Sequence, residues 1–63
     1  MFHIENCKVV ADSPNAILVE SPELEKSIWV PQSQVCDESE VWKKGDEGTL
    51  IITDWIAEQK GLV

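Results

Sequence analysis

The stretch TLIITDWIAEQKGL, residues 49–62, decides the fold because the spacing of its apolar side chains changes partway along. Thr49–Ile52 is a run of β-branched and aliphatic residues typical of a strand. From Ile52 onward the apolar residues recur every three or four positions, which indicates a helix of about two turns. A helix this short does not persist alone in water, so its apolar face must pack on a sheet.

Both ends of this predicted helix carry ordinary signals. Thr53 can cap the amino end, and Asp54 lies at the positive end of the helix dipole. Lys60 lies at the negative end, and Gly61 suits the position that follows the last helical residue. We expect Trp55 to belong to the core. The predicted buried face comprises Ile52, Trp55, Ile56 and Gln59.

Upstream of residue 49 the chain predicts further strands separated by turns. The predicted strands are Phe2–Val10, Ala16–Glu20, Ser27–Val30, Glu40–Trp42 and Thr49–Ile52. A slip in the alternation around Asn6 and Cys7 indicates a bulge in the first strand. Pro31 cannot donate to a ladder, so pairing of the third strand should end there. The two glycines in 43–48 suit a tight reversal.

These elements predict a mostly β fold of the α+β class. We expect a small antiparallel sheet of four or five strands, or an open SH3-like or OB-like barrel, closed by the short C-terminal helix. No linker or repeat interrupts the order, so residues 1–63 are interpreted as a single small domain.

Charge is the most unbalanced property of the chain. Its 63 residues include twelve acidic residues and five lysines but no arginine, and the net charge is −7 at pH 7. Such a surface repels nucleic acid and acidic membranes and attracts a basic protein surface. The alternative is that the charge only keeps a small protein soluble. A chain this short has no room for a separate catalytic domain, so we do not expect an enzyme.

No cofactor or metal is expected. His3, Glu5, Cys7 and Cys36 are enough donors for zinc, but their spacing matches no standard zinc motif, and they lack the partners that a catalytic cysteine needs. The acidic run 37–40 lacks the loop pattern of a calcium site. Neither a secretory signal nor a membrane span is recognisable, so we expect a soluble cytoplasmic protein with reduced thiols.

Four segments of the second half carry a resemblance. They are WVPQSQV at 29–35, SEVW at 39–42, GDEGTL at 45–50 and DWIAEQKGL at 54–62. Together they resemble a group of short proteins of unassigned activity encoded by tailed bacteriophages and prophages. Ile52 and Thr53 depart from that pattern, in which a proline often precedes the helix. The resemblance implies the cytoplasm of an infected or lysogenic bacterial host, and it supplies no catalytic or ligand residues.

The candidate site combines acidic loops with tryptophan. If the 43–48 turn folds back beside the loop that follows Cys36, their carboxylates form one patch that could imitate the phosphates of DNA; the alternative is two separate solvated loops. Tryptophan is enriched at binding hot spots, so an exposed Trp29 or Trp42 would be the anchor. The candidate partner-binding residues are Trp29, Asp37, Glu38, Glu40, Trp42, Asp46 and Glu47.

The leading hypothesis is therefore a phage-type interaction module that binds and occludes a host or phage protein that handles nucleic acid, as an inhibitor or anti-defence protein. A second hypothesis is an accessory domain that stacks single-stranded nucleic acid on Trp29 or Trp42, although the charge of the chain has the wrong sign for it. A third is a self-associating structural protein, since small sheets have exposed strand edges and a homo-oligomer is possible.

Overall fold

The computed structural model describes residues 1–62, which form a small, mostly β domain. Four antiparallel strands make one open sheet in the order β3-β2-β1-β4, and a short helix follows the last strand. The elements in chain order are β1 (Phe2–Asp12), β2 (Ala16–Glu20), β3 (Ile28–Pro31), a 3₁₀ helix (Gln32–Gln34), β4 (Glu47–Ile52) and α1 (Asp54–Gln59). The predicted fold class is confirmed.

β1 is one of the two central strands and contains the predicted bulge. Its pairing with β4 shifts register between Ile4 and Cys7, and Asn6 there adopts a positive φ of 57°. Asparagine tolerates this left-handed conformation better than most residues. A second register shift, between Val9 and Ala11, lies in the pairing with β2. The bulges let one long strand bend and pair with two neighbours.

Residues 34–40 cover the outer edge of β4. Thr53 N–H donates to the Gln34 carbonyl, and Cys36 N–H donates to the Ile51 carbonyl at 2.8 Å. Farther along, the Ser39 hydroxyl accepts from Ile51 N–H at 3.3 Å, in the place that a backbone carbonyl would occupy in a regular ladder. The predicted strand Glu40–Trp42 is therefore wrong, because the Ser39 hydroxyl and the Glu40 carboxylate take the place of the backbone carbonyls that a regular ladder requires.

The helix has the predicted ends but a different buried face. Thr53 Oγ1 accepts from Ile56 N–H, and Leu62 N–H donates back to the Ala57 carbonyl past Gly61, which has a φ of 72°. This closing pattern satisfies the last carbonyls of the helix. Ile56 and Ala57 are the buried residues, whereas Trp55 is 58% exposed, so its assignment to the core is wrong.

The helix therefore buries a different side from the predicted one. Ile56 and Ala57 face the core, and the preceding Trp55 faces away from it. Gln59, which was also predicted to face the sheet, is exposed as well. The buried core comprises Ile4, Cys7, Val9, Ile17, Val19, Val30, Val35, Val41, Leu50, Ile52, Ile56 and Ala57. Within residues 1–62, no helix has the length and apolar character needed to cross a membrane.

Candidate protein-binding surface

The two acidic segments of the sequence lie side by side. Glu40 connects them, because its backbone N–H donates to the Thr49 carbonyl at 2.9 Å and its carboxylate Oε1 accepts from Thr49 N–H at 2.8 Å. Gly48 lies directly against the same carboxylate, so that a Cβ at this position would be 2.7 Å from Oε1. The loop that follows Cys36 is thus attached to the end of the 43–48 turn, the arrangement that one continuous patch requires.

Trp42 lies between these segments, and hydrogen bonds hold both its indole ring and its backbone. Its indole Nε1–H donates to the Ser39 carbonyl at 2.8 Å, and its backbone N–H donates to Asp46 Oδ2 at 2.9 Å. The neighbouring Val41 is fully buried and anchors the segment in the core. The Trp42 side chain nevertheless remains 36% exposed. It is a large, partly apolar surface group whose orientation is fixed before any partner arrives.

Asp46 organises the turn that follows Trp42. Its Oδ2 accepts from the backbone N–H groups of Trp42 and Lys43, the second at 3.1 Å. The hydrogen bond from Trp42, reinforced by the one from Lys43, holds the pKa of the Asp46 carboxyl below its ordinary value. Asp12 supports the same turn from β1, where its Oδ2 accepts from Lys44 N–H at 2.9 Å. The turn is therefore built on carboxylates that bind backbone amides.

The five predicted carboxylates divide into two groups. Glu40 and Asp46 are engaged by backbone amides and have structural roles. The other three carboxylates, which are exposed and make no hydrogen bond or ion pair within residues 1–62, are Asp37, Glu38 and Glu47. Lys43 and Lys44 offset part of the charge, so the segment 37–47 carries five negative and two positive side chains, a net charge of −3.

Trp29 belongs to a different part of the molecule. It lies on β3, at the opposite edge of the sheet from β4, and it is 45% exposed. Leu18 is directly opposite it on β2 and is half-buried. The structure thus joins Trp42 to the acidic loops but leaves Trp29 outside that surface.

Sequence reasoning missed one concave region. A cleft of about 400 Å³ opens beside the bulge of β1 and the connection between β2 and β3. Its charged lining side chains are Lys8, Glu20, Glu25 and Lys26. Ser21 forms part of its wall, donating its hydroxyl to the Glu5 carbonyl at 2.7 Å. Most of the lining residues belong to the connection 20–27, and the fold brings Asn6 and Lys8 of β1 beside it, so the concave shape is not a property of either segment alone.

The donors considered for zinc are separated by the bulge. His3 and Glu5 are exposed, whereas Cys7 faces the core, where burial raises the pKa of its thiol. Both Cys7 and Cys36 are free thiols. Among residues 1–62, no three histidine, cysteine or carboxylate side chains are grouped so that they could hold a metal ion.

Comparison with known protein families, with curated proteins and with solved structures finds no match to the chain.

Proposed function

We propose that this protein is a protein-protein interaction module that binds a basic surface of its partner through Trp42 and the surrounding acidic loops. The observation that carries the proposal is the fixed, half-exposed indole of Trp42, which is bonded to the Ser39 carbonyl and lies between two carboxylate-bearing segments. The proposed role is binding and not catalysis.

Rigidity is what makes Trp42 a suitable anchor. A side chain that becomes ordered only on binding loses about 0.5–1.5 kcal/mol of conformational free energy, whereas an already fixed indole loses little. Trp42 is held through both its ring and its backbone, so it can present the same face to every incoming partner. Tryptophans in such positions are frequent binding hot spots.

The charge around Trp42 selects the kind of partner. Asp37, Glu38 and Glu47 are unengaged and exposed, and the whole chain carries a net charge of −7, so lysine-rich and arginine-rich surfaces are attracted over long range. Surfaces that bind nucleic acid carry clustered lysine and arginine. The proposed partner is therefore a nucleic-acid-handling protein of a bacterial host or phage, and occlusion of its groove is the proposed mechanism.

The experiment compares two triple variants that have the same net charge. D37N/E38Q/E47Q neutralises the unengaged carboxylates of the site and leaves Glu40 and Asp46 in place to hold the loops. The control, E5Q/E25Q/E58Q, neutralises three exposed glutamates elsewhere in the chain. Each variant changes the net charge from −7 to −4. Both are immobilised beside the unmodified protein and exposed to a bacterial lysate at low and at high salt.

We expect the unmodified protein and the control to retain the same basic proteins at low salt and to release them at high salt. The site variant should retain none of them, and Trp42→Phe should weaken retention by roughly tenfold or more, as removal of a hot-spot contact does. Equal retention by the two triple variants would contradict the proposal. Quenching of tryptophan fluorescence by micromolar single-stranded DNA would favour the nucleic-acid-binding hypothesis instead.

A further inference from the structure

The outer edge of β3 presents unpaired backbone groups. Gln32 N–H donates to the Asn15 carbonyl at 2.8 Å, and the register then places Val30 opposite Ile17 as the next hydrogen-bonded pair. In an antiparallel ladder these pairs alternate with positions whose N–H and C=O groups point away from the neighbouring strand. Trp29 is such a position, and among residues 1–62 no other segment bonds to its backbone.

The two edges of the sheet differ in how many of their outward backbone groups are hydrogen-bonded. Every outward backbone group at the covered positions of β4, from Thr49 N–H to the Ile51 carbonyl, is bonded to the segment 34–40. On β3 only Pro31 limits pairing, since it lacks an N–H at an outward position. The β3 edge is therefore the part of the described sheet that remains available for strand addition.

Charge at the β3 edge is absent, although more than a quarter of the chain is charged. Residues 27–36 contain no charged side chain, the longest such run in the sequence. Of the features that protect edge strands, β3 has a short length and Pro31 but no lysine or other charge. A basic foreign strand would find no carboxylate on Ile28–Pro31 to bind, so the edge is complementary to an uncharged, apolar strand.

We propose that a second copy of this chain supplies that strand, with the two β3 edges pairing antiparallel about Trp29. The two Trp29 residues would then exchange N–H···O bonds, and Ser27 N–H of each copy would donate to the Pro31 carbonyl of the other. The paired segment 27–31 contains no charged side chain, so no like charges face each other within it. The four-stranded sheets become one continuous eight-stranded sheet with a two-fold axis.

The indole of Trp29 contributes to this contact. Residues directly opposite in an antiparallel pair have side chains on the same face, so the two Trp29 rings lie side by side across the axis. Each ring is 45% exposed in the single chain and has an apolar neighbour in Leu18. Cross-strand aromatic pairs stabilise sheets, and this pair covers one of the large exposed apolar side chains of the molecule.

The dimer is expected to be weak and to be strengthened by salt. A strand of four residues is about 14 Å long, and such an edge contact buries less surface than the roughly 1,200 Å² of a stable complex. The net charge of −7 on each copy opposes association and is screened by salt. This salt dependence is opposite in sign to that of the proposed basic partner, so the two interactions can fail or succeed independently.

Sedimentation equilibrium over about 10 μM to 2 mM protein, at roughly 20 mM and 500 mM NaCl, tests the proposal. Trp29→Lys places a charge on the edge, and Trp55→Lys is the matched control because it changes the same residue type at an exposed helical position. The unmodified protein and the control should dimerise reversibly, severalfold more tightly at high salt, and Trp29→Lys should weaken the dimer at least tenfold.

A second measurement on the unmodified protein does not depend on the folding of a variant. Hydrogen exchange of the Trp29 amide, followed by NMR, should be fast in dilute solution and should slow several-fold as the concentration rises, because the amide becomes bonded only in the dimer. Monomer alone at the highest concentration and both salts would overturn the proposal. So would a dimer that survives Trp29→Lys, or a Trp29 amide whose exchange ignores concentration.

Discussion

Gly48→Ala should destabilise the protein through Glu40, the residue that joins the two acidic loops. Gly48 has a φ of 150°, and an added Cβ would lie 2.7 Å from Glu40 Oε1 and 3.1 Å from Glu40 Cβ. The carboxylate would have to move, which breaks its bond to Thr49 N–H. The backbone strain costs about 1–3 kcal/mol, and the lost hydrogen bond adds about 1 kcal/mol because Glu40 is exposed.

A double-mutant cycle separates these two contributions. In the Glu40→Ala background the carboxylate is absent, so Gly48→Ala should cost about 1 kcal/mol less than it does in the unmodified protein. Gly45→Ala is the matched control, because Gly45 also has a positive φ of 96° but no atom within 4 Å of the added Cβ. Its cost should consist of backbone strain alone and should be the same in both backgrounds.

The assay is urea denaturation followed by tryptophan fluorescence, with each free energy of unfolding extrapolated to water. For a chain of 63 residues the total stability is roughly 3–9 kcal/mol, so a loss of about 3 kcal/mol shifts the midpoint by an easily measured amount. If Gly48→Ala costs the same with and without the Glu40 carboxylate, the contact does not link the loops and the reasoning is refuted.

Three further predictions concern the helix and the site. Thr53→Ala should cost about 1 kcal/mol of unfolding free energy by removing the amino-terminal cap, whereas Thr53→Ser should retain most of it in the same urea assay. Trp42→Phe should cost about 1 kcal/mol by removing the bond to the Ser39 carbonyl, and Trp55→Phe, at an exposed ring, should change stability by less than about 0.5 kcal/mol. Asp46 has a folded-state pKa below its unfolded value, so its ionised form stabilises the folded protein. The difference in unfolding free energy between the unmodified protein and Asp46→Asn should therefore be constant above about pH 5. It should shrink as the pH falls below about 4. A difference that does not change with pH would show that the Asp46 charge makes no contribution.

The strands of the first half were predictable because their signals are local. Alternation of apolar residues marks β1, and its slip at Asn6 coincides with the observed bulge, whereas an unbroken apolar run marks β2. β3 ends at Pro31 as predicted, although the Pro31 nitrogen faces outward and the Gln32 N–H still bonds to the Asn15 carbonyl. Each of these signals depends on residues that are close together in the chain.

The exposure of Trp55 could not be derived in the same way. A helix of six residues is compatible with more than one buried stripe, and the largest apolar side chain appeared the natural choice for the core. The buried residues are instead Ile56 and Ala57. The choice between stripes depends on the shape of the opposing surface, and that shape is absent from the helix sequence.

The acidic residues show a similar division. Their number and their concentration in 37–47 are visible in the sequence, and so is the expectation that they flank Trp42. Which carboxylates remain unengaged is not visible, because Glu40 accepts from the amide of Thr49, nine residues away on β4, and the intervening turn decides that they meet. Asp46 accepts from backbone amides only four and three residues away. Aspartate commonly stabilises turns in this way, so the structural role of Asp46 was predictable from the local sequence but was overlooked.

The sequence by itself determined the positions of the four strands and the helix, the main turns and the acidic character of this protein, although it also predicted a strand at 40–42 that does not form. Propensity, periodicity and charge are properties of neighbouring residues. The tertiary structure decided which tryptophans are exposed, which carboxylates are unengaged, and that β4 is covered while β3 is open. Those outcomes depend on which donors and acceptors remain after distant segments have paired. Buried backbone N–H and C=O groups need hydrogen-bond partners, and the local sequence does not specify which groups the fold brings to them.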